Sequence, residues 1–132
     1  MSSMLAGKAI LCLEDEPLVA MQLEDTLRDA GCDVVGPFYS ADDALQAIAI
    51  ARVDGAVLDV NLGTGQTSAR VADTLRERGI PFIYATGYAT AGLRPVDRAV
   101  LRVEKPYQSS QVLKALTASL AEGIPRQRSD KS

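Results

Sequence analysis

Short apolar segments alternate along the chain with segments in which apolar residues recur at helical spacing. The apolar segments predict five strands, at residues 8–13, 33–38, 54–59, 81–85 and 100–103. Continuous apolar runs of this length are typical of strands buried on both faces, as in parallel sheets. Pro37 predicts an edge position for the second strand. Because strands and helices alternate, the predicted fold class is α/β, a doubly wound five-stranded parallel sheet.

The segments between these strands carry helix signals. Helices are predicted at residues 17–30, 40–51, 68–78 and 111–120. Pro17 suits the first turn of its helix, and Ser40 with an acid three residues later forms a variant of the capping box. Residues 88–98 contain Gly92 and Pro95, which predict only a short or irregular helix there.

Length and composition are those of one ordinary globular domain. We expect an N-terminal extension at 1–7, a folded domain at 8–121 and a flexible polar tail at 122–132 of the 132 residues. The net charge of -3 argues against a nucleic-acid-binding surface, which is normally basic. The first residues lack signal-peptide features, and no apolar stretch is long enough to span a bilayer. We therefore expect a cytoplasmic protein that binds neither nucleic acid nor membranes.

The two cysteines and the absence of histidine limit the chemistry further. Cys12 and Cys32 show no metal-site or disulfide spacing, so we expect free thiols in or near the core. The sequence therefore predicts neither a histidine- or cysteine-based metal site nor a disulfide framework.

Polar residues follow the predicted strands at the points where the strands end. These residues are Glu14 and Asp15 after the first strand, Asp59 at the end of the third, Thr86 after the fourth and Lys105 after the fifth. Each has a simpler explanation by itself, and a lone Asp59 is more readily a helix cap. In a parallel sheet, however, these strand ends share one edge, where ligands usually bind.

Three carboxylates that converge at one edge repel each other unless a cation or a proton lies among them. An all-oxygen ligand set suits Mg²⁺ (or Mn²⁺). A lysine and a threonine hydroxyl beside the ion would suit a phosphoryl group, and a carboxylate can itself accept that group as an aspartyl phosphate.

Four short motifs occur in order at these strand ends. They read Leu-Glu-Asp-Glu-Pro at 13–17, Leu-Asp-Val-Asn-Leu at 58–62, Ala-Thr-Gly at 85–87 and Glu-Lys-Pro at 104–106. With them the chain resembles, over about residues 8–121, the receiver domain of response regulators of two-component signalling. The resemblance implies a flavodoxin-like (βα)5 fold with strand order 2-1-3-4-5.

The resemblance also implies a role for each matching residue. Asp59 would accept the phosphoryl group from a sensor histidine kinase. The magnesium ligands would be Glu14, acting mostly through water, with Asp15, Asp59 and the backbone carbonyl of Asn61. The phosphoryl-binding and switch residues would be Thr86, Gly87, Lys105 and Pro106, with a cis peptide bond between the last two.

Two features refine the resemblance. The segment 81–88 is similar to a stand-alone subgroup with a Phe-Ala-Thr-Gly motif, in which Tyr84 replaces the Phe. That subgroup is associated with HWE-type kinases and general stress signalling in alphaproteobacteria. Arg102 stands where most relatives carry an aromatic switch residue, which puts the usual aromatic switch in doubt.

The resemblance implies a single-domain response regulator, a signalling protein and not an enzyme. Because only a short tail follows residue 120, we expect its output to pass through a downstream protein target or a phosphotransfer protein. Alternatives are a pseudo-receiver that only binds partners, an aspartate-nucleophile phosphatase and a dinucleotide-binding module. Such a phosphatase needs an acid two residues after its nucleophile, where this chain has Asn61. Residues 63–68 only half match the glycine-rich fingerprint of a dinucleotide-binding module.

Overall fold

Five strands and four α-helices alternate along the chain in the computed structural model, which describes residues 4–63, 66–87 and 93–122. The elements are β1 (Ala9–Leu13), α1 (Pro17–Asp29), β2 (Asp33–Phe38), α2 (Ala41–Ile50), β3 (Gly55–Asp59), α3 (Ala69–Glu77), β4 (Phe82–Thr86), a 3₁₀ helix (Pro95–Asp97), β5 (Arg102–Glu104) and α4 (Ser109–Glu122). Over these ranges no helix combines the length and the apolar character that crossing a membrane requires.

The strands form one parallel sheet in the order β2-β1-β3-β4-β5. The predicted fold class and strand order are therefore confirmed, and β2 lies at an edge, as Pro37 indicated. Because the order places β3 between β1 and β4, the carboxyl ends of these three strands are neighbours at one edge of the sheet. The end of β5 adjoins that of β4, since Thr86 pairs with Glu104.

Two apolar layers cover the sheet, as the doubly wound arrangement requires. Alternate residues of β3 point to opposite faces, so that Leu58 packs in the layer with α2 and α3, and Val57 in the layer with α1 and α4. Both cysteines are free and buried in the second layer, as expected. Each fully buried leucine or valine contributes about 1.5–3 kcal/mol from removal of its surface from water.

Several predicted boundaries are wrong by a few residues. The fifth strand, predicted at 100–103, is Arg102–Glu104, because its limits follow the pairing with β4 and not the apolar run. Helix α4, predicted from 111 to 120, runs from Ser109 to Glu122, since polar residues at a helix end carry no periodic signal.

The predicted cap of the second helix is confirmed. Ser40 accepts a hydrogen bond from the Asp43 amide and so caps α2. Within the predicted irregular region 88–98, residues 88–92 lie outside the described residues, and the remainder contains the 3₁₀ helix. The domain limits 8–121 remain a prediction, and residues 123–132 also lie outside the described ranges.

Candidate functional site

A cavity of about 550 Å³ lies where the carboxyl ends of the strands meet. Every predicted site residue except Glu14 lines this cavity. Glu14 is only 1% exposed and is connected to the cavity through its contact with Lys105. The fold therefore brings together residues of four strand ends that are distant in sequence.

Lys105 is the cation at the centre of this site. Its Nζ lies 2.9 Å from Glu14 Oε1, 3.0 Å from Asp59 Oδ2 and 3.1 Å from Glu16 Oε1. The contacts with Glu14 and Asp59 are shielded from water, whereas the Glu16 side chain is 60% exposed and its ion pair is correspondingly weak. One ammonium group thus holds two buried carboxylates in place.

Glu14, Asp15 and Asp59 present carboxylate oxygens that lie within 4.8 Å of one another. Burial raises the pKa of Glu14 to about 7, with the hydrogen bond from Lys105 acting against it and the Asp59 charge adding to it. Burial also raises the pKa of Asp59, again opposed by Lys105. The fold therefore concentrates more negative charge than Lys105 neutralises, and this compact all-oxygen set fits Mg²⁺.

The loop after β3 lies close against this acid cluster. An antiparallel bridge between Asn61 and Thr67 ties the two ends of the loop, which fixes the backbone that carries the Asn61 carbonyl. Gly63 adopts a φ of +72°, and a Cβ there would lie 3.0 Å from Asp15 Oδ2. Glycine is required at this position both by its backbone conformation and by the nearby carboxylate.

Thr86 and Gly87 complete the cavity from the end of β4. Thr86 is buried at the edge of the cavity, and its carbonyl accepts a 2.8 Å hydrogen bond from the Lys105 amide. A Cβ at Gly87 would meet no atom of the described residues within 4 Å, so the space beside this glycine is open among them. The peptide bond between Lys105 and Pro106 is cis, as the resemblance implied.

Four residues that line the cavity were not predicted as members of the site: Glu16, Val19, Gln22 and Tyr107. Glu16 pairs with Lys105, and the acidic triplet at 14–16 was its only sequence signal. Tyr107 lines the cavity, and no pattern in the sequence marked it as a member of the site. Tyr84 is buried, with its ring edge-on to Phe82 at 5.6 Å between centroids.

Arg102 occupies the position of the usual aromatic switch residue. It is half-buried, pairs with Tyr84 across the sheet, and its guanidinium lies 3.4 Å from the carbonyl of Arg98. A long, charged side chain at this position keeps its head group near polar atoms and water.

Comparison with known proteins agrees with this geometry. A family model described as the response regulator receiver domain matches residues 10–117. The chain is 30% identical over 116 residues to the phyllosphere-induced regulator PhyR of Methylorubrum extorquens, an alignment that covers 84% of this chain and 43% of PhyR. The chain therefore spans less than half the length of that curated relative.

Solved structures show the same similarity. The solution structure of SdrG from Sphingomonas melonis Fr1 is 40% identical, with a TM-score of 0.78 over 92% of this chain and 99% of SdrG. The crystal structure of the response regulator PhyR from Brucella abortus is 26% identical, with a TM-score of 0.78 over 89% of this chain and 49% of that chain.

Proposed function

The chain belongs to the response regulator receiver domain family of two-component systems, and we propose that its Asp59 accepts a phosphoryl group from a sensor histidine kinase. The observation that carries this proposal is the pair of ion pairs that Lys105 forms with Asp59 and Glu14, at the edge of the sheet where the acid cluster lies. An ammonium placed on the acceptor carboxylate is positioned for the charge that a phosphoryl group adds.

In the proposed reaction a carboxylate oxygen of Asp59 attacks phosphorus. The new O–P bond forms as the P–N bond to the donor histidine breaks, and the histidine nitrogen keeps the electron pair. Mg²⁺, when bound, would neutralise the phosphoryl oxygens, and Glu14, Asp15, Asp59 and the Asn61 carbonyl would hold it. Asp59 is 6% exposed, at the floor of a cavity that leaves room for the incoming group.

Lys105 and Thr86 would then detect the modification. The phosphoryl group brings roughly two negative charges to the site. Lys105 already reaches Asp59, and Thr86 lines the same cavity, where its hydroxyl would donate to a phosphoryl oxygen. With Arg102 on β5, we propose that the movement of Thr86 is transmitted without an aromatic partner on that strand.

We further propose that the signal passes between proteins. The motif around Tyr84 supports an HWE-type kinase as phosphoryl donor. Similarity to PhyR, described in one solved structure as a stress response regulator, supports a role in general stress signalling. A downstream protein target or a phosphotransfer protein would receive the output. In this role we expect the protein to be a cytoplasmic phosphoprotein. We expect it to act in a signalling pathway and not as an enzyme.

The proposal is tested with acetyl phosphate and Mg²⁺, followed by intact-mass spectrometry. We expect wild type to gain one phosphoryl mass, Asp59→Asn to gain none, and EDTA to abolish the gain. Asp42→Asn is the matched control, because that acid is exposed on α2 and lies outside the cavity. Unmodified wild type would support a pseudo-receiver, and equal modification of Asp59→Asn would exclude Asp59 as the acceptor.

A further inference from the structure

Tyr107 has a buried hydroxyl group beside the phosphoacceptor site. The residue follows Lys105-Pro106, and its ring lines the cavity while packing against the apolar layer that contains Cys12 and Val112. Its hydroxyl oxygen is inaccessible to solvent and has no hydrogen-bond partner within residues 4–63, 66–87 and 93–122. It is the only buried side-chain polar atom of those residues in that condition.

An unpartnered buried hydroxyl is costly. Leaving such a group without a hydrogen bond forfeits its hydration, and folded proteins rarely tolerate it. Phenylalanine would fill the same apolar space without that penalty. We therefore expect the hydroxyl to have a hydrogen-bond partner in a state of the site that differs from the one described.

The hydroxyl lies in the electrostatic field of the acid cluster. Burial raises the pKa of Tyr107 to about 12, and the Glu14 carboxylate adds to this effect while Lys105 opposes it. The phenol is therefore a neutral hydrogen-bond donor at physiological pH. Glu14 is already bonded by the Lys105 ammonium and by the Glu16 amide, at 3.1 Å for the latter.

We propose that Tyr107 is a positioning residue of the phosphoacceptor site, whose hydroxyl donates a hydrogen bond to Glu14 when a divalent cation occupies the acid cluster. A cation held by Glu14, Asp15 and Asp59 would bind carboxylate oxygens that now accept hydrogen bonds from Lys105. Glu14, which is only 1% exposed, then needs another donor, and the unused donor at this site is the buried Tyr107 hydroxyl. This inference rests on the proposed function.

The test compares wild type, Tyr107→Phe and Tyr39→Phe. Tyr39 is an exposed tyrosine outside the cavity and serves as the matched control. Mg²⁺ affinity is measured by calorimetric titration, and the melting temperature is measured with EDTA and with saturating Mg²⁺. We expect Tyr107→Phe to bind Mg²⁺ about three- to tenfold more weakly, the value of one hydrogen bond. In EDTA it should melt at or above the wild-type temperature, because only an unpartnered hydroxyl is lost.

A second variant identifies the acceptor. In a Glu14→Gln background the additional Tyr107→Phe change should cause less loss of Mg²⁺ affinity than it does in wild type, since the two residues act together. Equal Mg²⁺ affinity of Tyr107→Phe and wild type, or a lower melting temperature of Tyr107→Phe in EDTA, would overturn the inference. Wild type that binds no Mg²⁺ would overturn the proposed function as well, so the two failures are distinguishable.

Discussion

Glu14 is the least exposed acidic residue in the described part of the chain. It is a carboxylic acid buried to 1% exposure, and Lys105 only partly offsets the cost of its charge. Such a group stores unfavourable free energy that a bound cation can relieve. At the scale of single residues, we therefore expect the buried Glu14 charge to lower the free energy of unfolding of the metal-free protein.

A pH dependence follows from this arrangement. The folded state raises the pKa of Glu14 from 4.5 to about 7, so that the folded protein holds this proton more tightly than the unfolded chain does. The stabilisation of the folded state by this bound proton is fully present below pH 4.5 and is lost as pH rises through 7. In EDTA, we expect the free energy of unfolding to fall over this window by at most about 3 kcal/mol.

Urea titrations across the pH range measure this loss. Asp59, whose pKa is also raised, adds to the fall in the same direction. Glu14→Gln has no proton to lose at this position, so its profile should be flatter between pH 4.5 and 7. Parallel profiles of wild type and Glu14→Gln through that window would contradict the assignment.

At the scale of elements, a partly buried ionic cluster joins α3 to the 3₁₀ helix. Asp97 is 3% exposed and accepts hydrogen bonds from Arg76 at 2.8 Å and from Arg94 at 2.9 Å. Arg94 also bonds Asp73 on α3 at 2.8 Å. Burial and the adjacent Asp97 carboxylate together raise the pKa of Tyr84 on β4. The cluster therefore anchors the segment that leads into β5.

Asp97→Ala tests the contribution of this cluster. Removing the shared acceptor leaves two guanidinium groups without their buried partner, which we expect to cost about 2–4 kcal/mol in the free energy of unfolding. Asp42→Ala is the control, because its ion pair with Arg70 is exposed on both sides and should contribute less than about 0.5 kcal/mol. Urea denaturation of both variants makes the comparison, and equal stability losses would show that burial does not strengthen the Asp97 contacts.

At the scale of the whole molecule, the sheet depends on helices from both ends of the chain. The apolar layer that contains Val57 also contains Leu23 and Leu27 of α1 together with Val112 and Leu116 of α4. Helix α4 also reaches back to β3, where Leu120 lies against Gly55. The last helix is therefore an integral part of the fold and not an appendage.

Truncation tests the predicted domain limits. A chain that ends at Glu122 should keep its free energy of unfolding within about 0.5 kcal/mol, since both apolar layers are complete by Leu120 in the described residues. A chain that ends at Ala115 lacks Leu116, which is fully buried, and should not unfold cooperatively. Thermal unfolding followed by circular dichroism distinguishes the two. A large loss of stability in the longer chain would show that the domain extends beyond the predicted limit.

The sequence by itself determined the fold class and most of the candidate site. The apolar runs indicate buried parallel strands because burial on both faces leaves a local, readable pattern. Asp59, Thr86 and Lys105 were predicted at strand ends because a parallel sheet collects those ends at one edge, whatever the details of packing.

Only the tertiary structure decided which of these groups touch and how. Backbone pairing with β4 sets the limits of β5, and pairing between strands has no local signature. The contact of Glu16 with Lys105, the buried hydroxyl of Tyr107 and the shared acceptor Asp97 all depend on the distance between segments far apart in the chain. Strand order and register set those distances, and no single segment encodes them.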